Sequence, residues 1–401
     1  MKTETRVSLG KPIFKLLFLF FLLFSLFTMA GCWDRHELDS LGIVLGVGID
    51  KGEEEAKPVE ITTQIIKPGE IKGPSSGGGG GGGGKGQPYL NITNTGEAVF
   101  DIIREFTHLV NRRLYFSHNV ILLIGQEAAE EGVGKYLDLF FRDPEPRLTS
   151  WFIVTKGKAK EALDTKAELE QVPALNIAQL VEARAATSEV SAVNLYDFMT
   201  RFMSKTTAPI ASLLEIESRG EEKIARLVGT AVFKKEKMVG SLDKAETRGL
   251  LWVLGKVKSG IVVTPCPGGE GKACLEIIWT KSKVIPEIKG GKLEITVTIK
   301  EEGNLGGQMC AQDLTLPETW IALEKNKAKV IQQEVKAALQ KAQALNTDIF
   351  GFGDAVHRKY PALWKEWEAQ WDEIFPNLKV KVLVEAKLRQ TGMIAKPVKP
   401  E

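Results

Sequence analysis

Between residues 281 and 345 the spacing of apolar residues changes from two to about three and a half, and this constrains the fold more than any other feature. Residues 281–288 and 292–300 alternate apolar with polar, the second as Leu293, Ile295, Val297 and Ile299, with Gly290-Gly291 between them. Such alternation gives a strand one apolar face, and a glycine pair supplies the positive φ angles of a tight hairpin. Residues 317–345 then set Ile321, Ala328, Ile331, Val335, Ala338 and Ala342 on one helical stripe among lysines and glutamines, with Pro317 near the first turn. A one-faced hairpin followed by a long one-striped helix must bury the two faces together. The expectation is an α+β fold: successive domains, each a sheet flanked by helices, with a long amphipathic helix in the C-terminal half.

The rest of the chain reads in the same terms. Residues 41–49 and 59–66 predict a hairpin around the charged turn 52–57. Residues 72–88 form a linker with eight consecutive glycines, Gly77 to Gly84, a composition that buries nothing and favours mobility. Helices are expected at 96–111, 127–141, 159–163, much of 173–208, 243–254, 355–359 and 361–374. Strands are expected at 115–124, 151–155, 213–218, 224–233, 238–240, 260–264, 275–280 and 380–386. This divides the chain into a leader (1–31), an N-terminal α+β domain (32–200, with a flexible insertion at 72–88), a C-terminal α+β region of one or two subdomains (201–395) and a frayed tail (396–401).

The leader has a recognisable layout. Lys2, Arg6, Lys11 and Lys15 precede an apolar run that closes at Met29-Ala30-Gly31-Cys32. The run is short against the ~20 residues a membrane span requires, and a basic flank, an apolar run and small residues are the parts of a signal peptide. Small residues ahead of a cysteine are what a lipoprotein signal peptidase needs. Cys32 is therefore the expected first residue of the mature chain and its site of lipid attachment, where two acyl chains anchor stably and one does not. The formal charge of +2, less the leader's +3, leaves −1, so no basic field points to nucleic acid.

Three cysteines remain. Cys266 and Cys274 bracket a turn-rich loop, and a disulfide between them would be worth about 2.5 kcal/mol in the loop-entropy model. Spacing does not decide whether it forms; Cys310 would then be a buried, unpaired thiol. Catalytic signals are weak. Gly46-Val47-Gly48 runs into a charged turn rather than a helix, Gly84-Lys85-Gly86 lacks the hydroxyl of a phosphate loop, and Gly73-Pro74-Ser75-Ser76-Gly77 lies in the linker. His36, His108, His118 and His357 form no metal-binding pattern. No catalytic residue, metal or cofactor is implied. Trp364, Trp367 and Trp371 share a helix face, which suits either a partner or the core, with core favoured. The 317–345 helix is a second candidate contact surface.

Several segments together resemble the Ger(x)C family of spore germination lipoproteins, the C subunits of nutrient germinant receptors. They are Gly31-Cys32-Trp33-Asp34-Arg35, Phe116-Ser117-His118, residues 142–147, Gly229-Thr230-Ala231-Val232-Phe233, residues 246–252, residues 348–353 and Lys359-Tyr360-Pro361 with Trp364 and Trp371. The glycine run departs from the family pattern and reads as an insertion. The resemblance implies a non-enzymatic subunit, lipidated at Cys32 and held on the outer face of the spore inner membrane. Its implied partners are the membrane and the receptor's A and B subunits. The competing expectation is a solute-binding lipoprotein that captures a nutrient itself, although the chain lacks two equal strand–helix lobes around a hinge.

Overall fold

The computed structural model of the chain describes residues 10–28, 40–71, 86–268 and 270–394. The apolar run forms helix α1 (Gly10–Thr28), in a unit of its own that spans Met1–Gly42. Among the described residues no helix is long and apolar enough to cross a membrane. The Cys32 junction, the glycine run and the expected frayed tail lie outside the described residues.

The second unit, Ile43–Glu401, holds two sheets. In the first, β1 (Leu41–Glu54), β2 (Lys57–Ile66) and β3 (Tyr89–Gly96) pair antiparallel. Helix α2 (Val99–Glu105) leads to the short β4 (Arg113–Tyr115), which pairs with β1 off the main path. Next come β5 (Ile121–Gly125), α3 (Gln126–Glu131), α4 (Gly134–Arg142), β6 (Trp151–Thr155), α5 (Ala159–Leu163), α6 (Pro173–Ala183) and α7 (Leu195–Phe202). Strands β7 (Ile210–Arg219), β8 (Glu222–Lys234) and β9 (Lys237–Leu242) complete the order β3-β2-β1-β5-β6-β7-β8-β9. The central pairs β1–β5, β5–β6 and β6–β7 are parallel. Parallel strands are buried on both faces, and β5 shows it: Leu122 and Ile124 join one core cluster, Ile121 and Leu123 the other.

One expectation changes here. The strand expected over 115–124 is broken, because the Phe116 N–H donates to Glu145 Oε1 at 2.6 Å and the Asn119 N–H to the Phe116 carbonyl at 2.9 Å. These bonds turn the chain between β4 and β5. The first sheet takes strands from both sides of α7, with Ile153, Val154 and Thr155 of β6 in register with Ser212, Leu213 and Leu214 of β7.

The second sheet follows α8 (Lys244–Leu254), which opens on a capping box between Asp243 and Glu246 and closes on the left-handed Gly255. Its strands are β10 (Ile261–Pro265), β11 (Lys272–Lys289), β12 (Lys292–Gln308) and, after α9 (Pro317–Ala344), α10 (Phe352–Lys359), α11 (Pro361–Trp367) and α12 (Trp371–Ile374), the last strand β13 (Lys379–Leu388). Their order is β10-β11-β12-β13. The β11–β12 turn has φ of 55° at Gly290 and 76° at Gly291, as a primed hairpin turn requires. The fold is α+β, and one apolar cluster contains residues of both sheets and of α8 and α9.

The disulfide differs from expectation. Cys266 pairs with Cys310, with a Cα–Cα distance of 6.6 Å, and among the described residues Cys274 is the free thiol. Register is the reason. Cys274 stands opposite Val263, three residues before Cys266, so strand rise separates the two cysteines by ~10 Å, beyond disulfide reach.

Candidate functional site

The polar chemistry of this fold gathers along α9 and at the loop that follows it. On β12 the inward alternation of Ile295, Val297 and Ile299 continues to Glu301, which is buried. Two turns apart on α9, Lys327 and Glu334 face inward with Leu323, Ile331, Val335, Ala338 and Ala342. The Lys327 ammonium donates to Glu301 Oε1 at 2.6 Å and to the Glu276 carbonyl at 2.9 Å. Neither charged side chain of this pair has any exposed surface. Burial pushes the Glu301 carboxyl up to about 7, opposed by the charge and hydrogen bond of Lys327. Burial likewise lowers the Lys327 ammonium. Glu301 Oε2 is buried without a hydrogen-bond partner.

One step along, α8 crosses α9 at Gly249, where a Cβ would overlap the Glu334 carbonyl oxygen. That close approach lets Arg248 grip Glu334. Its Nε lies 3.1 and 3.0 Å from the two carboxylate oxygens, and a terminal nitrogen also donates to Oε1. The Trp252 indole N–H donates to Glu334 Oε2 at 2.8 Å, and Arg248 caps the Ile261 carbonyl at 3.1 Å. Burial would lower the Arg248 guanidinium, but the bond to Glu334 and the charges of Glu334 and Glu189 hold it above its ordinary value.

After α9 the chain turns through Asp348. Its buried carboxylate accepts the N–H groups of Phe350, Gly351 and Phe352 at 3.2, 3.0 and 3.1 Å, and of Gly353 at 2.8 Å. Burial pushes this carboxyl up to about 6 against the pull of those four donors. Arg201 of α7 donates to the Ala208 and Ile349 carbonyls, both at 3.0 Å. Asp354 accepts the hydroxyls of Thr206 and Thr207. The motif at 348–353 is therefore a clamp that joins the C-terminal helices to residues 201–208. Beside it opens a cavity of about 460 Å³ lined by Lys205, Lys234, Lys235, Asp348, Glu368 and Asp372 among others.

Placed in this frame, the expected site residues separate. Cys32 lies outside the described residues. Trp364 and Trp371 are buried against each other with ring centroids 5.1 Å apart, and Trp367 packs on the same cluster, so all three serve the core. Helix α9 presents its stripe to the second sheet, but not the whole stripe expected: Ile321 is half exposed, and Leu323 and Lys327 take the inward positions near it. The Lys327–Glu301 pair fixes that rotation. His357 stacks on Trp364, and His118 lies against Tyr115. Among the described residues no group of three or more His, Cys, Asp and Glu is placed to hold a metal ion. The carboxylates of Glu334 and Asp348 are held by donors within the fold, so they position structure. Lys327, Glu301 and Arg201 went unnoticed in the sequence. The signal for the first two was a charge standing at a phase otherwise apolar.

Comparison with known proteins extends this picture over both halves of the chain. Residues 34–216 match the family model described as spore germination protein N-terminal domain, and residues 228–392 match the one described as spore germination B3/GerAC like, C-terminal. The chain is 28% identical over 397 residues to spore germination protein KC of Bacillus subtilis (strain 168), covering 94% of this chain and 96% of that protein. It is 23% identical to spore germination protein B3 of the same organism, covering 93% and 97%. The crystal structure of the GerBC protein superposes with a TM-score of 0.54 at 21% identity, over 88% of this chain and 99% of that one, which is a likeness of fold. With family domains matched on either side of residues 217–227 and relatives aligned over nearly their whole length, the chain belongs to the GerAC-like family of spore germination proteins.

Proposed function

We propose that the chain is the lipid-anchored, non-enzymatic C subunit of a nutrient germinant receptor, carried by Cys32 on the outer face of the spore inner membrane. It works by assembly. Confinement to the membrane surface raises its effective concentration near the A and B subunits and makes docking on them nearly intramolecular. The observation that carries this reading is the match of both family domains, which together cover most of the chain behind Cys32. The junction Met29-Ala30-Gly31-Cys32 supports the anchor, and the internal pairing of the buried carboxylates Glu334 and Asp348 supports a structural rather than a catalytic role.

A Cys32→Ala variant tests the proposal. In spores of a host relying on this receptor, the variant leaves the membrane fraction and germination by the cognate nutrient slows, while A and B subunits that co-purify with the parent no longer do so. A variant that stays in the membrane and supports germination at the parental rate refutes the anchoring role.

A further inference from the structure

A second cavity, away from α9, is lined by more basic than acidic side chains. It lies between the end of α6, the start of α7 and the end of α8, and holds about 30 Å³, enclosed on most sides. Measured in this way a water needs ~10–15 Å³, so the space takes roughly two waters. Four basic residues, Arg184, Arg201, Lys256 and Lys258, line it with a single acid, Asp197. Arg201 spends donors on the Ala208 and Ile349 carbonyls. Among the described residues, the side chains of Arg184, Lys256 and Lys258 make no hydrogen bond and no ion pair within 4.0 Å.

The backbone shows how this arrangement is held. Ser188 lies in the left-handed region with φ of 53°, uncommon for a residue with a Cβ. Its hydroxyl donates to the Ser259 carbonyl at 2.7 Å and accepts the Lys258 N–H at 3.2 Å. These bonds tie the loop after α6 to the loop after α8 and bring Arg184 and Lys258 to the same cavity. Burial lowers the Arg184 and Arg201 cations, opposed at Arg201 by the charges of Asp348, Asp197 and Asp354. Desolvation at the cavity also lowers Lys256, whose side chain is otherwise exposed; Asp197 opposes the lowering and the charges of Arg201 and Arg184 add to it. Four cations share this space with one lining carboxylate, Asp197, and although Lys256 and Lys258 also reach solvent, a further opposite charge would reduce their mutual repulsion.

We propose that this cavity is a binding site for a small inorganic anion, of the size of chloride or nitrate, held by Arg184, Lys256 and Lys258 with Arg201 behind them. The volume sets the size limit: a monatomic or small planar anion fits, and a polyol acid does not. Binding neutralises the cluster and fastens the loops after α6 and α8 together.

The test compares thermal unfolding of the full chain in mild detergent, in sodium chloride, sodium nitrate and sodium gluconate at equal ionic strength. Chloride or nitrate should raise the midpoint saturably over gluconate, by roughly 2 °C once the anion is tenfold above its dissociation constant. Arg184→Glu supplies the missing negative charge from the chain itself, so its midpoint in gluconate should match or exceed the parent's and no longer respond to chloride. Lys256→Gln, on an exposed position, should weaken the response without disturbing the fold. Equal midpoints for the parent in all three salts overturn the proposal, as does a full chloride response in either variant.

Discussion

Replacing Lys327 with Met leaves Glu301 buried with no counter-charge. The methionine matches the lysine stem in length and flexibility, so the perturbation is chiefly the loss of the ammonium and its bonds of 2.6 Å to Glu301 and 2.9 Å to the Glu276 carbonyl. Removing one partner of a fully buried pair costs about 3–5 kcal/mol. With unfolding entropy near 2.1 cal/mol/K per residue over roughly 350 folded residues, that lowers the thermal midpoint by roughly 5 °C. The pH dependence gives the sharper test. The folded carboxyl of Glu301 sits at about 7 against an ordinary 4.5 because burial disfavours its charge. A raised folded value means that its contribution is fully present below 4.5 and is lost as pH rises through about 7. Without Lys327 the charged form is opposed still more strongly, so the deficit of Lys327→Met should be largest at pH 8 and shrink toward pH 5. Thermal unfolding followed by circular dichroism at both pH values measures it. Adding Glu301→Leu should recover most of the loss instead of deepening it. A single variant within ~1 °C of the parent at pH 8, or a deficit equal at the two pH values, refutes the reasoning.

Two further outcomes follow from packing and covalent structure. Cys310→Ser opens a disulfide spanning a sequence separation of 44 and should lose up to about 4 kcal/mol in the loop-entropy model, whereas Cys274→Ser should match the parent. Non-reducing peptide mapping with urea unfolding distinguishes this pairing from one between Cys266 and Cys274. Gly249→Ala pushes a methyl onto the Glu334 carbonyl and to 2.9 Å from the Ala338 Cβ, separating α8 from α9. A loss of about 1–3 kcal/mol in urea unfolding is expected, and an unchanged midpoint would contradict the tight crossing.

The sequence revealed elements where the physics is local and hid what depends on distant partners. Leu293, Ile295, Val297 and Ile299 announced a strand through side-chain period alone, and Gly290-Gly291 announced its turn. The same strand continues to Gln308, but Glu301 looks like the end of an apolar pattern until Lys327, from another element, pairs with it. The rotation of α9 went unread for the same reason, since a buried lysine is indistinguishable in sequence from the solvated ones around it. Pairing of Cys266 with Cys310 depends on strand register, and continuation of the first sheet into β7 depends on a parallel contact across more than fifty residues. Asp348 was visible as part of a family-like segment, while its work of holding four backbone N–H groups appears only once the helix after it is placed.

The parallel pairing of β13 with β12 bears on how the molecule is made. A parallel neighbour needs a crossover, and here α9 to α12 lie between the two strands, so β13 leaves the ribosome only after those four helices. Until it arrives, β12 shows a row of unpaired backbone groups from Glu294 to Gly303, and Val382 and Ala386 have yet to cover their part of the core. A nascent chain cut short before residue 379 would keep that edge open, and an open edge pairs readily with another copy. Strand β13 thus shifts the exposed edge away from β12: a polypeptide made through residue 388 covers β12 and the core beneath it, whereas one cut short before residue 379 leaves β12 open to another copy.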